Sequence, residues 1–331
     1  METTTKTHIG VDIAADWLDA CALSEGRKTF KRFKNGQKGY AEFFCWLKAH
    51  GNLQDAMVIM EPTGRYGEAF AEYCYARRLP VVLVQPLQFR RYAESVDLRG
   101  KSDYKDAAAL ALYGLERGRS LREFIPKDEI AYELRDLQLL VRSSTKRIAA
   151  IKNQLKCKLR SSFVRQELEA ELERLAVQKS ETLKRASELV REDEQMQNDL
   201  ELLDSIPGVA AQTALLMLIL IDFRKFKSSR ALACFLGLTK KKAESGKTVR
   251  GREGMSKRGS KYLRSQLYCP AMAAANANPH WREFVDRLKS SGKLDVQTKV
   301  AVARKLVTTA WAVINNQKPF DLNYVNANSL A

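Results

Sequence analysis

The stretch Thr7-His8-Ile9-Gly10-Val11-Asp12-Ile13 sets Ile9, Val11 and Ile13 on one face of a strand and Gly10 and Asp12 on the other. An acid there breaks an otherwise apolar run. A second short strand, Met57-Val58-Ile59-Met60, runs straight into Glu61, and Pro62-Thr63-Gly64 turns the chain into a helix that begins near Tyr66. Glu61 thus stands at a strand's carboxyl end, where open α/β sheets keep their sites. Asp103-Tyr104-Lys105-Asp106 opens the helical run 107–113, and residues three apart lie on one helix face. The first turn of a helix also favours negative charge. Any one of these acids alone is an ordinary cap or a solvated surface group. Four of them, at two strand ends and one helix start, are the oxygen ligands with which a protein holds Mg²⁺ against a phosphodiester.

Outward from these acids the chain divides into three regions. Over 1–125, strands near 7–13, 18–24, 29–34, 57–60 and 80–84 alternate with helices near 39–49 and 66–76, which predicts a mixed sheet with helical cover. Over 126–204, Leu134, Leu137, Val141, Ile148, Ile151, Leu155 and Leu159 recur at helical spacings, followed by Leu168, Leu172 and Leu175. Breakers are few, so two long helices forming a coiled-coil-like arm are expected, with an ordinary buried bundle as the alternative. Over 205–331 the pattern is of short helices with Gly-containing turns and one long basic loop near 240–261. The fold class is therefore α/β plus α. The turn Ile206-Pro207-Gly208-Val209-Ala210 is similar to a helix-hairpin-helix, whose backbone N–H groups face phosphate, and equally to a plain turn between helices.

Charge separates these regions further. The 331-residue chain carries a net charge of +17, and residues 206–331 hold 22 Lys and Arg against 7 Asp and Glu. A second basic stretch, from Lys146 to Arg165 and including Lys152 and Lys156, contains no acid. Basic blocks near a candidate Mg²⁺ site favour a polyanionic partner, nucleic acid first. No run of about 18 apolar residues predicts a membrane span. The start, Met1-Glu2-Thr3-Thr4-Thr5-Lys6, lacks the order of a signal peptide. Six scattered cysteines without a Cys-x-x-Cys pair and three histidines argue against structural zinc, a disulfide framework and a histidine triad. A reduced, cytoplasmic protein is expected. Trp17, Trp46, Trp281 and Trp311 read as core or interface aromatics, His280 as a loop residue, and the tail after Phe320 as poorly ordered.

The basic loop is the second distinctive segment. It runs Leu236-Gly237-Leu238-Thr239-Lys240-Lys241-Lys242-Ala243-Glu244-Ser245-Gly246-Lys247-Thr248-Val249-Arg250-Gly251, then Arg252 and Met255-Ser256-Lys257-Arg258-Gly259. Such a loop binds phosphates passively through its cations. Alternatively, Ser245 acts as a nucleophile while Lys247 and Arg250 stabilise charge on the attacked phosphate.

At these residues the chain resembles the DEDD-type, RuvC-like insertion-sequence transposases, the bridge-RNA-guided serine recombinases. The likeness covers nearly the whole chain. It runs through Ile9-Gly10-Val11-Asp12, Met60-Glu61-Pro62-Thr63-Gly64, Leu98-Arg99-Gly100-Lys101-Ser102-Asp103-Tyr104-Lys105-Asp106-Ala107 and Leu203-Asp204-Ser205-Ile206-Pro207-Gly208-Val209. It resumes at Phe235-Leu236-Gly237-Leu238-Thr239, Glu244-Ser245-Gly246, Val249-Arg250-Gly251, Met255-Ser256-Lys257 and Leu263-Arg264.

The resemblance implies an RNase H/RuvC-like catalytic domain over 1–125, a helical arm over 126–204, and a transposase domain over 205–331. Asp12, Glu61, Asp103 and Asp106 would be its metal-binding acids and Ser245 its nucleophile. It also implies a homotetramer built as a dimer of dimers, in which the serine of one subunit completes the carboxylate site of another. Donor DNA, target DNA and a structured guide RNA would be its partners, in the cytoplasm and nucleoid of a prokaryote. The family's further hydroxyl residues after Ser-Gly are replaced here by Lys247 and Thr248. The expected cofactor is Mg²⁺, in two copies, with Mn²⁺ able to substitute. Two rival classes are a RuvC-like endonuclease or junction resolvase that uses water as nucleophile, and a non-catalytic nucleic-acid-binding protein. The second leaves four clustered carboxylates unexplained.

Overall fold

The alternation around Gly10 and Asp12 is a central strand, β1 (Thr7–Ile13), of a five-stranded mixed sheet in a computed structural model. The structure describes residues 7–50, 53–62, 64–96, 103–118, 121–241, 244–245, 249–250, 254–256 and 259–321. For Asp103, Lys240, Lys241, Glu244, Ser245, Val249, Arg250 and His280 it describes the backbone alone. The expected disordered tail beyond 321 lies outside the described residues. Two units divide the chain, Met1–Lys127 and Asp128–Ala331.

In the first unit β2 (Trp17–Ser24), β3 (Arg27–Lys34), β4 (Ala56–Met60) and β5 (Val81–Leu83) complete the sheet, in the order β3-β2-β1-β4-β5. The first three strands are antiparallel, while β4 pairs parallel to both β1 and β5. Glu25 and Gly26, both at positive φ (50° and 77°), make the two-residue turn between β2 and β3. That conformation matches the right-handed strand twist and suits glycine. One sheet face carries α1 (Gln37–His50) and α2 (Arg65–Ala76). There Ile9, Val11, Leu18 and Phe33 pack with Phe43, Leu47 and Phe70 in one buried cluster. Burial of each such side chain contributes about 1.5–3 kcal/mol. The other face carries α3 (Pro86–Ser95) and α4 (Asp103–Arg117), with Cys21, Leu23, Ala107, Ala108 and Ala111 in one cluster and Ile59, Val82, Leu110 and Tyr113 in another.

The alanine run makes α4 thin enough to lie directly on the sheet. At Gly10 a Cβ would fall 1.9 Å from the Ala107 carbonyl oxygen and 2.4 Å from the Ala111 nitrogen. Further along, Gly114 backs on Ile59 and His8, and Gly118 on His8 and Met57. Numbers thus fall along β1 as they rise along α4, and the helix runs antiparallel to the strand. Its N-terminus therefore lies at the carboxyl end of β1.

The second unit is helical: α5 (Glu129–Lys156), α6 (Ser162–Glu192), α7 (Glu194–Asp204), α8 (Ala211–Leu220), α9 (Ser229–Phe235), α10 (Lys261–Ala277), α11 (Pro279–Ser290) and α12 (Asp295–Asn316). Asp128, Ser161 and Asp193 cap α5, α6 and α7 through side-chain oxygens that accept the N–H three residues on. The cap at Asp193 ends α6, so 129–204 holds three helices rather than two. Pairs Glu133–Arg185, Ser144–Gln178 and Arg147–Glu171 descend on α6 as they ascend on α5, so the two long helices are antiparallel. Leu134, Val141, Leu183, Ala186, Leu189 and Val190 join Leu215 of α8 in one cluster, which ties this hairpin to the helices that follow. Phe163 and Val164, in the first turn of α6, are exposed.

Beyond the hairpin, α7 to α12 enclose a core that includes Leu203, Ile206, Leu232, Leu267, Val302 and Leu306. Here α10 and α12, at 17 and 22 residues, are longer than the short helices expected. His280 lies in the first turn of α11, not in a loop. Trp46 and Trp281 are buried, whereas Trp17 is 41% exposed at the start of β2. Among the described residues no helix is long and apolar enough to cross a membrane.

Candidate functional site

The register of β1 and β4 brings the first two acids together. Val11 pairs with Met60, so Asp12 and Glu61 follow side by side at the carboxyl ends of parallel neighbours. In-register residues on parallel strands point to the same face, here the face under α4, because Gly10 and Ile59, two residues back, both meet that helix. Asp106 immediately precedes Ala107, the residue seated on Gly10, and so it enters the same corner from above. Asp12, Glu61 and Asp106 are each half-buried.

Their proximity has an electrostatic consequence. The Glu61 carboxyl is held above its ordinary range by burial first, then by the negative charges of Asp12 and Asp106. Mutually repelling carboxylates with only oxygen donors suit a hard divalent cation, which would favour their charged forms. Among the described residues no three His, Cys, Asp or Glu side chains stand close enough to hold one ion. The fourth acid, Asp103, begins α4, and its side chain lies outside the description.

Two supports of this corner were not foreseen from the sequence. Asn35, just after β3, donates its Nδ2 to the carbonyls of Ala14 and Tyr66, both at 2.9 Å. Its Oδ1 accepts from the Tyr40 hydroxyl at 2.6 Å. Ala14 follows the strand that carries Asp12, and Tyr66 lies in the helix entered from Glu61, so one side chain ties together both acid-bearing loops. Asp19 of β2 faces Asp12 in register and is 4% exposed. Arg32 of β3, opposite Asp19, donates Nε and Nη2 to its two carboxylate oxygens at 2.8 Å each. The pair neutralises an acid that would otherwise add to the repulsion at Asp12. Strand pairing alone reveals both that Asp19 shares the face of Asp12 and that Arg32 is its partner.

In the second unit the expected basic loop contains two short ladders among its described residues. β6 (Lys240–Lys241) pairs with β9 (Gly254–Met255), and β7 (Glu244–Ser245) pairs with β8 (Val249–Arg250), all antiparallel. Ser245 therefore ends β7 opposite Val249, directly before 246–248. The base of this loop is fastened from below. Arg264, 6% exposed, donates to the carbonyls of Leu236 at 3.2 Å and Gly259 at 2.6 Å. At Gly259 a Cβ would fall 2.3 Å from the Phe235 carbonyl oxygen. Ser256, further along the same loop, donates its backbone N–H to the Thr239 carbonyl at 2.9 Å.

Of the expected nucleic-acid contacts, Lys152 and Lys156 are exposed on α5. The backbones of Lys240, Lys241 and Arg250 lie in the ladders. Lys242, Lys247, Arg252, Lys257 and Arg258 fall outside the described residues. The turn at Gly208, with φ 82°, backs onto α10: a Cβ there would lie 2.4 Å from the Ala274 Cα. Close packing against a neighbouring helix thus accounts for this glycine.

Residues 200–286 match the family model described as "Transposase IS116/IS110/IS902 family". Residues 9–164 match a second model, described as "Transposase", for DEDD transposases of the IS110 kind. The chain is 30% identical over 320 residues to the pilin gene-inverting proteins of Moraxella bovis and Moraxella lacunata, covering 96% of this chain and 98% of each of theirs. An insertion element IS110 uncharacterized 43.6 kDa protein from Streptomyces coelicolor is 30% identical over 115 residues, 34% of this chain and 28% of its own.

Proposed function

The chain belongs to the IS110/IS116/IS902 family of DEDD insertion-sequence transposases, and from that premise we propose that it cuts and rejoins DNA through a covalent phosphoserine. The observation that carries this reading is the convergence of Asp12, Glu61 and Asp106 at one corner of the sheet, with Glu61 feeling the charge of the other two. The strand order β3-β2-β1-β4-β5, with two antiparallel and two parallel pairings, supports an RNase H/RuvC-like domain around them.

Asp12, Glu61, Asp103 and Asp106 would hold the divalent cations, Mg²⁺ in two copies with Mn²⁺ able to replace it. When bound, such ions neutralise charge on a scissile phosphate and polarise it. Ser245 Oγ attacks phosphorus, the Oγ–P bond forms as the P–O3′ bond breaks, and the serine proton is made good on the departing 3′-oxygen. The reverse step, with the 3′-hydroxyl of the exchanged strand attacking the phosphoserine, restores the serine and the DNA backbone without ATP. Lys247 and Arg250 clamp the attacked phosphate, and the other loop cations with Lys152 and Lys156 hold nucleic acid. The assembly is a homotetramer guided by a structured bridge RNA that pairs with donor and target DNA, so base pairing chooses the sites.

The test is a donor substrate incubated with protein and divalent metal. Asp12→Asn and Glu61→Gln should each lower cleavage by about 10²-fold or more. Ser245→Ala should abolish the protein-DNA adduct. An adduct that persists in Ser245→Ala would transfer the role to Ser256, and cleavage to free 5′-phosphates without adduct would favour a water-using endonuclease. A discrete RNA copurifying with the chain is the expected sign of guidance. The likeness to pilin gene-inverting proteins over nearly the full length favours a second reading of the product, DNA inversion. The same strand exchange inverts a segment when its two sites face each other. Substrates with direct and inverted sites separate excision from inversion.

A further inference from the structure

Beside the carboxylate corner the sheet presents a second group that strand cleavage does not use. Asp12, Asp19 and Arg32 occupy one row across β1, β2 and β3, all on the α4 face. The two-pronged ion pair with buried Asp19 fixes the plane of the Arg32 guanidinium, while the Arg32 side chain stays 41% exposed. Tyr104, on the first turn of α4 between Asp103 and Asp106, has its ring centroid 5.8 Å from that guanidinium. Phe30 meets Tyr104 edge-on with centroids 5.7 Å apart. Both rings are open to solvent, Phe30 at 41% and Tyr104 at 44%.

Neutralising Asp19 requires only the ion pair; it does not require a solvent-facing ring beside the cation and a second exposed ring set edge-on against the first. An oriented cation among exposed rings is what single-stranded nucleic acid is held by: the cation takes a backbone phosphate and the ring stacks on a base. With neighbouring strands about 4.8 Å apart, Arg32 stands roughly 10 Å from Asp12 across the sheet. Phosphates follow one another at about 3.4 Å of rise along one strand of B-DNA, so the two positions lie within a few nucleotides of each other.

We infer that Phe30, Arg32 and Tyr104 form a docking site for the DNA strand that flanks the phosphate cut at the carboxylates, with Arg32 on a backbone phosphate and Tyr104 against a base. This rests on the reading that the carboxylate corner is where DNA is cut. That position, and not the chemistry of the rings, makes the occupant DNA in preference to a guide RNA.

The experiment measures binding of oligothymidylate to the full-length chain at a series of salt concentrations, with Ca²⁺ in place of Mg²⁺. Tyr104→Ala should weaken binding by about 5- to 150-fold, and Tyr104→Phe should not. The double variant Asp19→Asn/Arg32→Gln removes the cation without leaving a buried carboxylate alone. It should lower the slope of log affinity against log salt by about 0.7, the release of one counterion on a single strand. Unchanged affinity and slope in folded Tyr104→Ala and double-variant protein overturn the inference. So does a loss confined to oligouridylate, which would assign the surface to RNA. In a parallel assay on donor DNA with Mg²⁺, Asp12→Asn should lose cleavage, and with Ca²⁺ it should still bind oligothymidylate. If it still cuts, the cleavage reading has failed, independently of what Arg32 and Tyr104 do.

Discussion

Glu61 stands near enough to Asp12 and Asp106 to feel the charge of both. Its folded pKa is raised above the ordinary 4.5, chiefly by burial and then by Asp12 and Asp106, so its neutral form is the one the fold prefers. The stability this gives is complete below the ordinary value and is lost as pH rises through the raised one. In chelator, the melting temperature measured relative to Glu61→Gln should therefore fall as the solution is taken from about pH 4 toward neutrality, and divalent cation should restore it. Glu61→Gln should flatten both responses; a wild-type curve that ignores metal at neutral pH would remove the cation from this corner. Asn35 gives the complementary case, since it touches no reacting atom. Asn35→Ala should raise the metal concentration for half-maximal cleavage by about 10- to 100-fold while the maximal rate moves less, as expected of a group that only positions ligands. A loss of rate at saturating metal, with no shift in metal demand, would contradict this. The acids were legible in the sequence because each breaks a local pattern: Asp12 in an apolar strand, Glu61 at a strand's end. Asn35, Asp19 and Arg32 were not, because their significance lies in partners 13 to 31 residues away.

At the scale of elements, the crossing of α4 over β1 decides whether Asp106 reaches Asp12. Two features allow the approach, the missing side chain at Gly10 and the small ones at Ala107 and Ala111. Gly10→Ala drives a methyl into the helix backbone, so α4 must lift or slide. The expected loss is about 1–3 kcal/mol or more, which for a unit of this size lowers the melting temperature by about 4 °C or more. Cleavage should fall further than the melting loss explains, and should not recover at temperatures where the variant is fully folded. Arg264 plays a matching part in the helical unit by gripping the carbonyls of Leu236 and Gly259 at the two ends of the serine loop. Arg264→Met leaves those acceptors without their donor, at about 1–3 kcal/mol each. It should depress adduct formation while leaving the metal response of Glu61 intact; loss of both together would mean general unfolding instead. The strands of the first unit with α1 and α2 were readable to within two residues, since alternation and turn residues mark them locally, whereas α3 was given no bounds and α4 runs four residues past the expected 113. The short ladders inside the basic loop were not, because two-residue strands have no periodicity to detect. The break at Asp193 also escaped, its cap being hidden in an acidic run, Glu192-Asp193-Glu194.

At the scale of the molecule, the proposed chemistry is divided between two separately cored units, with the acids in Met1–Lys127 and Ser245 in Asp128–Ala331. Such a division permits sharing between chains. If the serine of one subunit serves the acids of another, a chain disabled in its acids can still donate a working serine, and a chain without serine can still supply working acids. Mixing Asp12→Asn chains with Ser245→Ala chains should then restore covalent adduct formation that neither shows alone, at a fraction of the wild-type yield because only some pairings unite both intact parts. The adduct should sit on the Asp12→Asn chain, which is distinguishable by a size tag. No recovery from a mixture assembled by refolding or coexpression would confine each serine to the acids of its own chain. That result would leave the carboxylate corner and the nucleophile in place while removing the reason for an obligate oligomer.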